Sequence, residues 1–157
     1  MHGRAACRPG SRARIAFPAH RERVSTRTLE VTGPLDPQAV WERYAVPDRW
    51  PEWSPQISRV EMSAPRLVAG ATGKVHGPLG VAFPFVVDTV DEEARRWGWT
   101  VRLGLVKVRL EHWVTEGPDG GTTTGMRAHG PGPVIAIYAA PAQVALDRLV
   151  RPPEERR

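Results

Sequence analysis

The chain has a single cysteine, Cys7, in 157 residues, so no internal disulfide can form. Nothing in it asks for an oxidising compartment, and a cytoplasmic location is expected. No HExxH, no CxxC and no clustered His/Asp/Glu spacing occurs, so no metal site is expected. There is no P-loop, no GxGxxG after a strand and no Gly-x-Ser-x-Gly elbow, so neither a nucleotide cofactor nor a serine nucleophile is indicated. Gly130-Pro131-Gly132-Pro133 is glycine-rich, but its prolines remove the N–H groups that an anion would need. No apolar run approaches the roughly 18–20 residues that span a bilayer, Val134 to Ala140 being far too short, and no membrane span is expected. Carboxylates placed for acid–base work are also missing. Asp91, Glu92 and Glu93 fall in a predicted hairpin and read as solvated, Asp88 points outward from its strand, and Asp36, Asp48 and Asp119 read as caps and turn residues.

Charge is unevenly spread. The net charge is +5, and residues 1–24 hold six arginines against one acid, Glu22, leaving 16 basic and 16 acidic side chains in the rest. The body therefore carries no basic stripe of the kind that binds nucleic acid, and no nucleic-acid partner is expected. Residues 1–24 read as a disordered basic tail, as upstream sequence from a wrongly assigned start, or as a weak arm for an anionic surface or nucleic acid. They lack the continuous apolar stretch of a signal peptide. The length suits one domain with a real core, placed at 25–151, with 152–157 as a frayed end. Sixteen prolines and 15 glycines predict many turns.

Hydrophobic alternation and turn residues order the elements. A strand is predicted at 25–32. Asp36 then caps a helix with Pro37 at its first position, running to about Val46. Further strands are expected near 56–63, 71–76, 81–90, 95–103, 106–116 and 122–129, followed by a helix from about Val134 to Val150. Short turns make consecutive strands antiparallel, and the last helix is the only long element able to cover the sheet. Pro141 is predicted to kink that helix, whose buried face is expected to hold Val134, Ile137, Tyr138, Pro141, Val144, Ala145 and Leu149.

The stretch Val40 to Glu61, VWERYAVPDRWPEWSPQISRVE, is the most distinctive. Val40, Trp41, Tyr44 and Ala45 share a helical face, and Pro47 stops the helix. Asp48 is expected to cap a short turn carrying Trp50 and Trp53. Val46-Pro47-Asp48-Arg49-Trp50-Pro51-Glu52-Trp53 resembles the "DP-x-x-W-P-x-W" signature of the polyketide cyclase/dehydrase-like branch of the START-like (SRPBCC) superfamily, with Pro-Asp in place of Asp-Pro. The resemblance covers about Val24 to Val150. It implies an α+β helix-grip fold, a curved antiparallel sheet of about seven strands around a long C-terminal helix with two short helices after strand 1. It also implies a cavity between sheet and helix that serves as the ligand site.

Alternation tells which side chains face inward. In 106–115 the even positions, Val106, Val108, Leu110, His112 and Val114, form the apolar face, so His112 points in. Trp97, Trp99, Val101 and Leu103 face in from the preceding strand, and Phe83, Phe85 and Val87 from the one before. Thr124, Met126 and Ala128 face in from the last strand, and Pro84 faces out and suggests an edge or a bulge. The expected ligand-binding set is Trp50, Trp53, Phe83, Phe85, Trp97, Trp99, Leu110, His112, Met126 and Tyr138, with Trp50 or Trp53 closing the mouth. The same aromatics would equally serve as core filler. His112 is open to three readings: a core histidine satisfied by Tyr138 or a backbone carbonyl, a group that orients a ligand, or a proton-transfer residue with Tyr138 orienting it. The preferred function is binding of a small hydrophobic molecule (lipid, polyketide or aromatic metabolite). A cyclase/aromatase-like enzyme using the same cavity is the alternative, and an interaction module with a vestigial cavity the third. The sequence sets no oligomeric state.

Overall fold

The computed structural model describes residues 23–153. Of the 1–24 segment, only Arg23 and Val24 are described; Cys7 and 154–157 lie outside. Seven strands form one antiparallel sheet: β1 (Val24–Gly33), β2 (Arg59–Met62), β3 (Thr72–His76), β4 (Ala82–Asp91), β5 (Arg96–Leu103), β6 (Val106–Glu116) and β7 (Thr122–Pro131). Their order is β1-β7-β6-β5-β4-β3-β2, so every consecutive pair from β2 to β7 is a neighbour and β1 closes on β7. Two helices, α1 (Pro37–Ala45) and α2 (Trp50–Trp53), follow β1, and α3 (Gly132–Leu149) follows β7. The core lies between the sheet and these helices.

Strand facing follows alternation closely. Val108, Leu110, His112 and Val114 are buried, as are Trp97, Trp99, Val101, Phe85, Val87, Thr124, Met126 and Ala128. Pro84 lies in an interior strand, not at an edge. It faces Lys74 of β3, while the β4–β5 ladder starts only at Phe85, so the proline nitrogen meets no demand from β5. The bulge falls later, between Val87 and Thr89. β2 is shorter than expected, which leaves Gln56 and Ile57 in the turn before it.

The ends of α1 account for much of the architecture. Asp36 caps its start, its carboxylate accepting from Ala39 N at 3.0 Å. At the other end a helix leaves four carbonyls without intrahelical donors. All four are met here. Glu42 O accepts from Val46 N at 3.3 Å and Ala45 O from Leu67 N at 2.8 Å. Arg43 O accepts from the Trp53 indole at 3.1 Å and Tyr44 O from the Trp50 indole at 2.8 Å. The Trp-Pro-x-Trp spacing thus serves to bring two indole N–H groups back onto the preceding helix. Asp48 makes no cap: it is exposed within a 3₁₀ turn, Pro47–Arg49, and α2 starts without a side-chain cap. The helix end is already closed by the indoles.

The Arg43 side chain is buried and donates to the carbonyls of Arg148 and Arg151, each at 3.2 Å, and to Leu149 O. One guanidinium therefore caps the C-terminus of α3, where the helix dipole favours a cation. Leu35 N adds a bond to Val150 O at 3.2 Å. Val150 packs so close to Gly33 that a Cβ there would collide with its side chain.

The buried face of α3 is Ile135, Ala142, Ala145, Leu146 and Leu149. Ile137 is 79% exposed and Val144 is also exposed, contrary to the expected face. The sequence is apolar on several sides of this helix, so its period does not single out one face. The helix continues through Pro141. Proline cannot donate to Ile137 O, but that carbonyl belongs to a solvent-side residue, where water can serve it.

Replacing Arg43 by Met keeps much of its packing and strands three carbonyls. Urea denaturation of Arg43→Met is expected to show a loss of about 2–4 kcal/mol in unfolding free energy. A loss below about 0.5 kcal/mol, the range of ordinary surface changes, would contradict this account of the cap.

Candidate functional site

Between the inner face of the sheet and α3 lies an apolar recess of about 340 Å³. β5 and β6 contribute Trp99, Leu103 and Leu110, β4 contributes Phe83, and α3 contributes Tyr138 and Pro141. Gln56 and Ile57, from the turn before β2, complete the inner wall. Gln56, Ile57, Trp99 and Tyr138 also border a second void of only about 20 Å³ behind that wall. Trp50, Trp53, Trp97, His112 and Met126 line this inner void and not the larger recess. Phe85 borders neither; it is buried against Trp50 and Trp99, with ring centroids 6.1 and 5.2 Å away. Of the sequence-predicted set, the structure thus brings Phe83, Trp99, Leu110 and Tyr138 to the recess and places the others deeper. Trp50 and Trp53 sit at the inner end, fixed by their bonds to α1, and not at a mouth.

His112 is buried, as alternation requires. Its Nε2 accepts a hydrogen bond from the Trp99 indole N–H at 3.1 Å. An indole can only donate, so the imidazole proton belongs on Nδ1. Its ring stacks on Trp97 with centroids 4.5 Å apart and planes 14° apart, and lies 5.2 Å from Tyr44. Trp99, not Tyr138, is therefore the partner of His112. The register explains why: His112 faces Trp97 across the β5–β6 ladder, and Trp99 is its same-face diagonal neighbour. Three buried polar atoms have no partner among the described residues: His112 Nδ1, Trp97 Nε1 and Gln56 Oε1.

Burial alone pushes the His112 pKa down to about 3. Such an imidazole is neutral at physiological pH and a weak proton acceptor. Burial raises the Tyr138 phenol, with Gln56 acting in the opposite direction. Tyr138 is partly exposed on α3, so its hydroxyl stays a neutral hydrogen-bonding group beside the recess. Tyr44, fully buried, lies 3.3 Å through its hydroxyl from Thr124 Oγ1, and burial raises it as well. Among the described residues no group of three or more His, Cys, Asp or Glu side chains is placed to hold a metal, and no helix is long and apolar enough to cross a membrane.

Glu92 is not simply solvated. It accepts from the Trp41 indole at 2.6 Å and pairs with Arg66, which also pairs with Glu42 at 2.8 Å. Arg66 holds both carboxyls below their usual range, and this network ties α1 to the β4–β5 turn. Its members come from three distant segments, so no local pattern points to it. Gln56 was likewise missed, because it reads as a strand residue until the turn around it is seen.

The state of His112 has a signed pH consequence. The unfolded imidazole titrates near pH 6.5 and the folded one near 3, so between these values the unfolded chain binds the extra proton. Its contribution is complete above pH 6.5 and is lost as pH falls toward 3, by about 1.4 kcal/mol per pH unit. The stability difference between wild type and His112→Gln, measured by denaturation at pH 7, 5.5 and 4.5, is expected to shrink at that slope. A pH-independent difference would contradict the neutral, buried imidazole.

No curated protein matches the chain by sequence. Among solved structures it is similar to the one titled "Crystal structure of Ara h 8.0201", with a TM-score of 0.66 and 19% identity, over 81% of this chain and 95% of that one. That likeness shows the fold, a seven-stranded sheet gripping a long C-terminal helix. The sequence profile described as polyketide cyclase / dehydrase and lipid transport matches residues 25–151. With the match spanning most of the chain, the protein belongs to the polyketide cyclase/dehydrase and lipid transport family, within the START-like helix-grip superfamily.

Proposed function

We propose that the recess binds a small hydrophobic molecule, such as a lipid, polyketide or aromatic metabolite, and that the protein acts as a carrier or receptor for it. The observation that carries this reading is the recess itself: a concave wall that is apolar almost throughout, with the Tyr138 hydroxyl, the Gln56 amide and His76 as its few polar features. That is the usual make-up of a small-molecule site. At about 340 Å³ it lies near the lower end of the range for such sites, roughly 300–1,000 Å³, which favours one ring system or a short acyl chain. The family description, which includes lipid transport, supports the same class of ligand.

Trp99 forms part of the ligand-facing wall in this reading, and His112 acts through it by holding its indole N–H. Trp50, Trp53, Trp97, Phe85 and Met126 support that wall from behind. Tyr138 meets the polar end of the ligand. Binding is preferred over cyclisation because His112 is a weak base held away from the recess, and His76, the histidine that does line it, has its Nε2 engaged by Arg59 at 3.2 Å.

Fluorescence titration with 1-anilinonaphthalene-8-sulfonate tests this directly. The wild-type protein is expected to bind the probe at one site, and short-chain fatty acids or flat aromatics to displace it. Leu103→Trp, which fills the recess from the sheet side, should weaken binding at least tenfold with an unchanged far-UV spectrum. Equal binding by a folded Leu103→Trp variant would overturn the assignment.

A further inference from the structure

Among the described residues, five of the eight large apolar side chains that are exposed collect at one end of the sheet. Antiparallel order brings together there the β3–β4 turn, the β5–β6 turn, the start of β1 and the first turns of α3. Leu79 and Leu105 occupy the tips of the two turns and are fully exposed, at 101% and 106%. Ile137, Val24 and Val81 are exposed beside them. Leu79 also has φ 61°, a left-handed conformation that is unusual for leucine. Gly or Asn would take that position with less strain and without an apolar side chain in water. The recess reaches this end, since Gly77, Pro78, Leu103 and Ile137 line it.

Basic side chains outnumber acidic ones at this end. Arg102 and Lys107 face each other across the β5–β6 ladder just behind Leu105. Arg59 lies opposite His76, behind Leu79, but pairs with Glu61 at 2.8 Å and so adds no net positive charge. The segments 23–27, 76–84, 100–110 and 129–138, which build this end, contain no Asp or Glu. The acids of the turns gather at the other end: Asp91, Glu92 and Glu93 after β4, and Glu116 and Asp119 after β6. Residues 1–22 carry five arginines against one acid, and they join the fold at Arg23, at this same basic end.

We infer that this end is a docking surface for an anionic lipid bilayer. Leu79, Leu105 and Ile137 enter the interface, while Arg23, Arg27, Arg102 and Lys107 lie at the level of the lipid phosphates. Burying apolar side chains in the interface and pairing basic ones with anionic headgroups add together, and neither alone anchors a protein firmly. Single leucines projecting from separate turns suit a fluid surface better than a shaped protein groove, and the basic excess around them matches a surface of uniform negative charge. The inference stands on this end of the molecule alone. Where it joins the proposed function, a docked protein would open its recess toward the bilayer.

Sedimentation of the full chain with vesicles decides it. Binding to phosphatidylcholine vesicles containing phosphatidylglycerol is expected to be at least tenfold tighter than to phosphatidylcholine alone. The double variant L79S/L105S is expected to lose at least tenfold of that binding while its Tm and its binding of 1-anilinonaphthalene-8-sulfonate stay unchanged. No binding to anionic vesicles would overturn the inference. So would binding that the double variant retains, which would assign the attraction to the arginines alone. Light scattering that finds a dimer broken by L79S/L105S, with no vesicle binding, would assign the surface to a second copy of the chain.

Discussion

Each end of a helix leaves backbone groups that must find partners, and the end of α1 is the constraint on which the rest of this structure depends. Its two middle carbonyls are taken by indoles that come from a turn five to eight residues further on. The same residue whose carbonyl receives Trp53, Arg43, sends its guanidinium to the end of α3. One helix terminus thus closes itself with tryptophans and closes the other helix with an arginine. Unmet, these buried carbonyls would each cost about 1–3 kcal/mol, so the arrangement is strongly specified.

This joint determines where the recess can be. α3 is held at its C-terminal end by Arg43, Leu35 and the close approach of Val150 to Gly33. Small residues, Ala142 and Ala145, let that half of the helix pack closely on the core. The N-terminal half carries Val134, Tyr138 and Pro141 along the recess instead. The tryptophan cluster fills the joined end and the open space lies toward the other. The inner wall between the two is stiffened by the Trp99–His112 hydrogen bond and the stacking of His112 on Trp97. A histidine suits this place because one ring nitrogen can accept from an indole while the ring packs as an aromatic.

Much of this was legible in the sequence where a single period governs. Strand alternation put His112, Trp97, Trp99 and Met126 on the inner face, and Asp36 with Pro37 marked the start of α1. The facing of α3 was not legible, because alanines, valines and isoleucines surround it and Ile137 and Val144 look as apolar as Leu146. Asp48 misled because a residue suited to capping is needed only where a helix end is open. Which inward residues touch the recess was also hidden. Trp97 and Trp99 share a face, yet only Trp99 reaches the recess, because the space depends on where α3 lies along the strands. The Trp41–Glu92–Arg66 network and the place of Gln56 arise from contacts between distant segments, for which one sequence carries no local sign.

The most direct measurement is native mass spectrometry of the protein isolated from cells that naturally make it, with organic extraction of what it carries. The account predicts an apolar molecule bound one to one, small enough for a recess of about 340 Å³, and released on unfolding. A protein that arrives empty and stays empty after incubation with the lipid extract of those cells would contradict it.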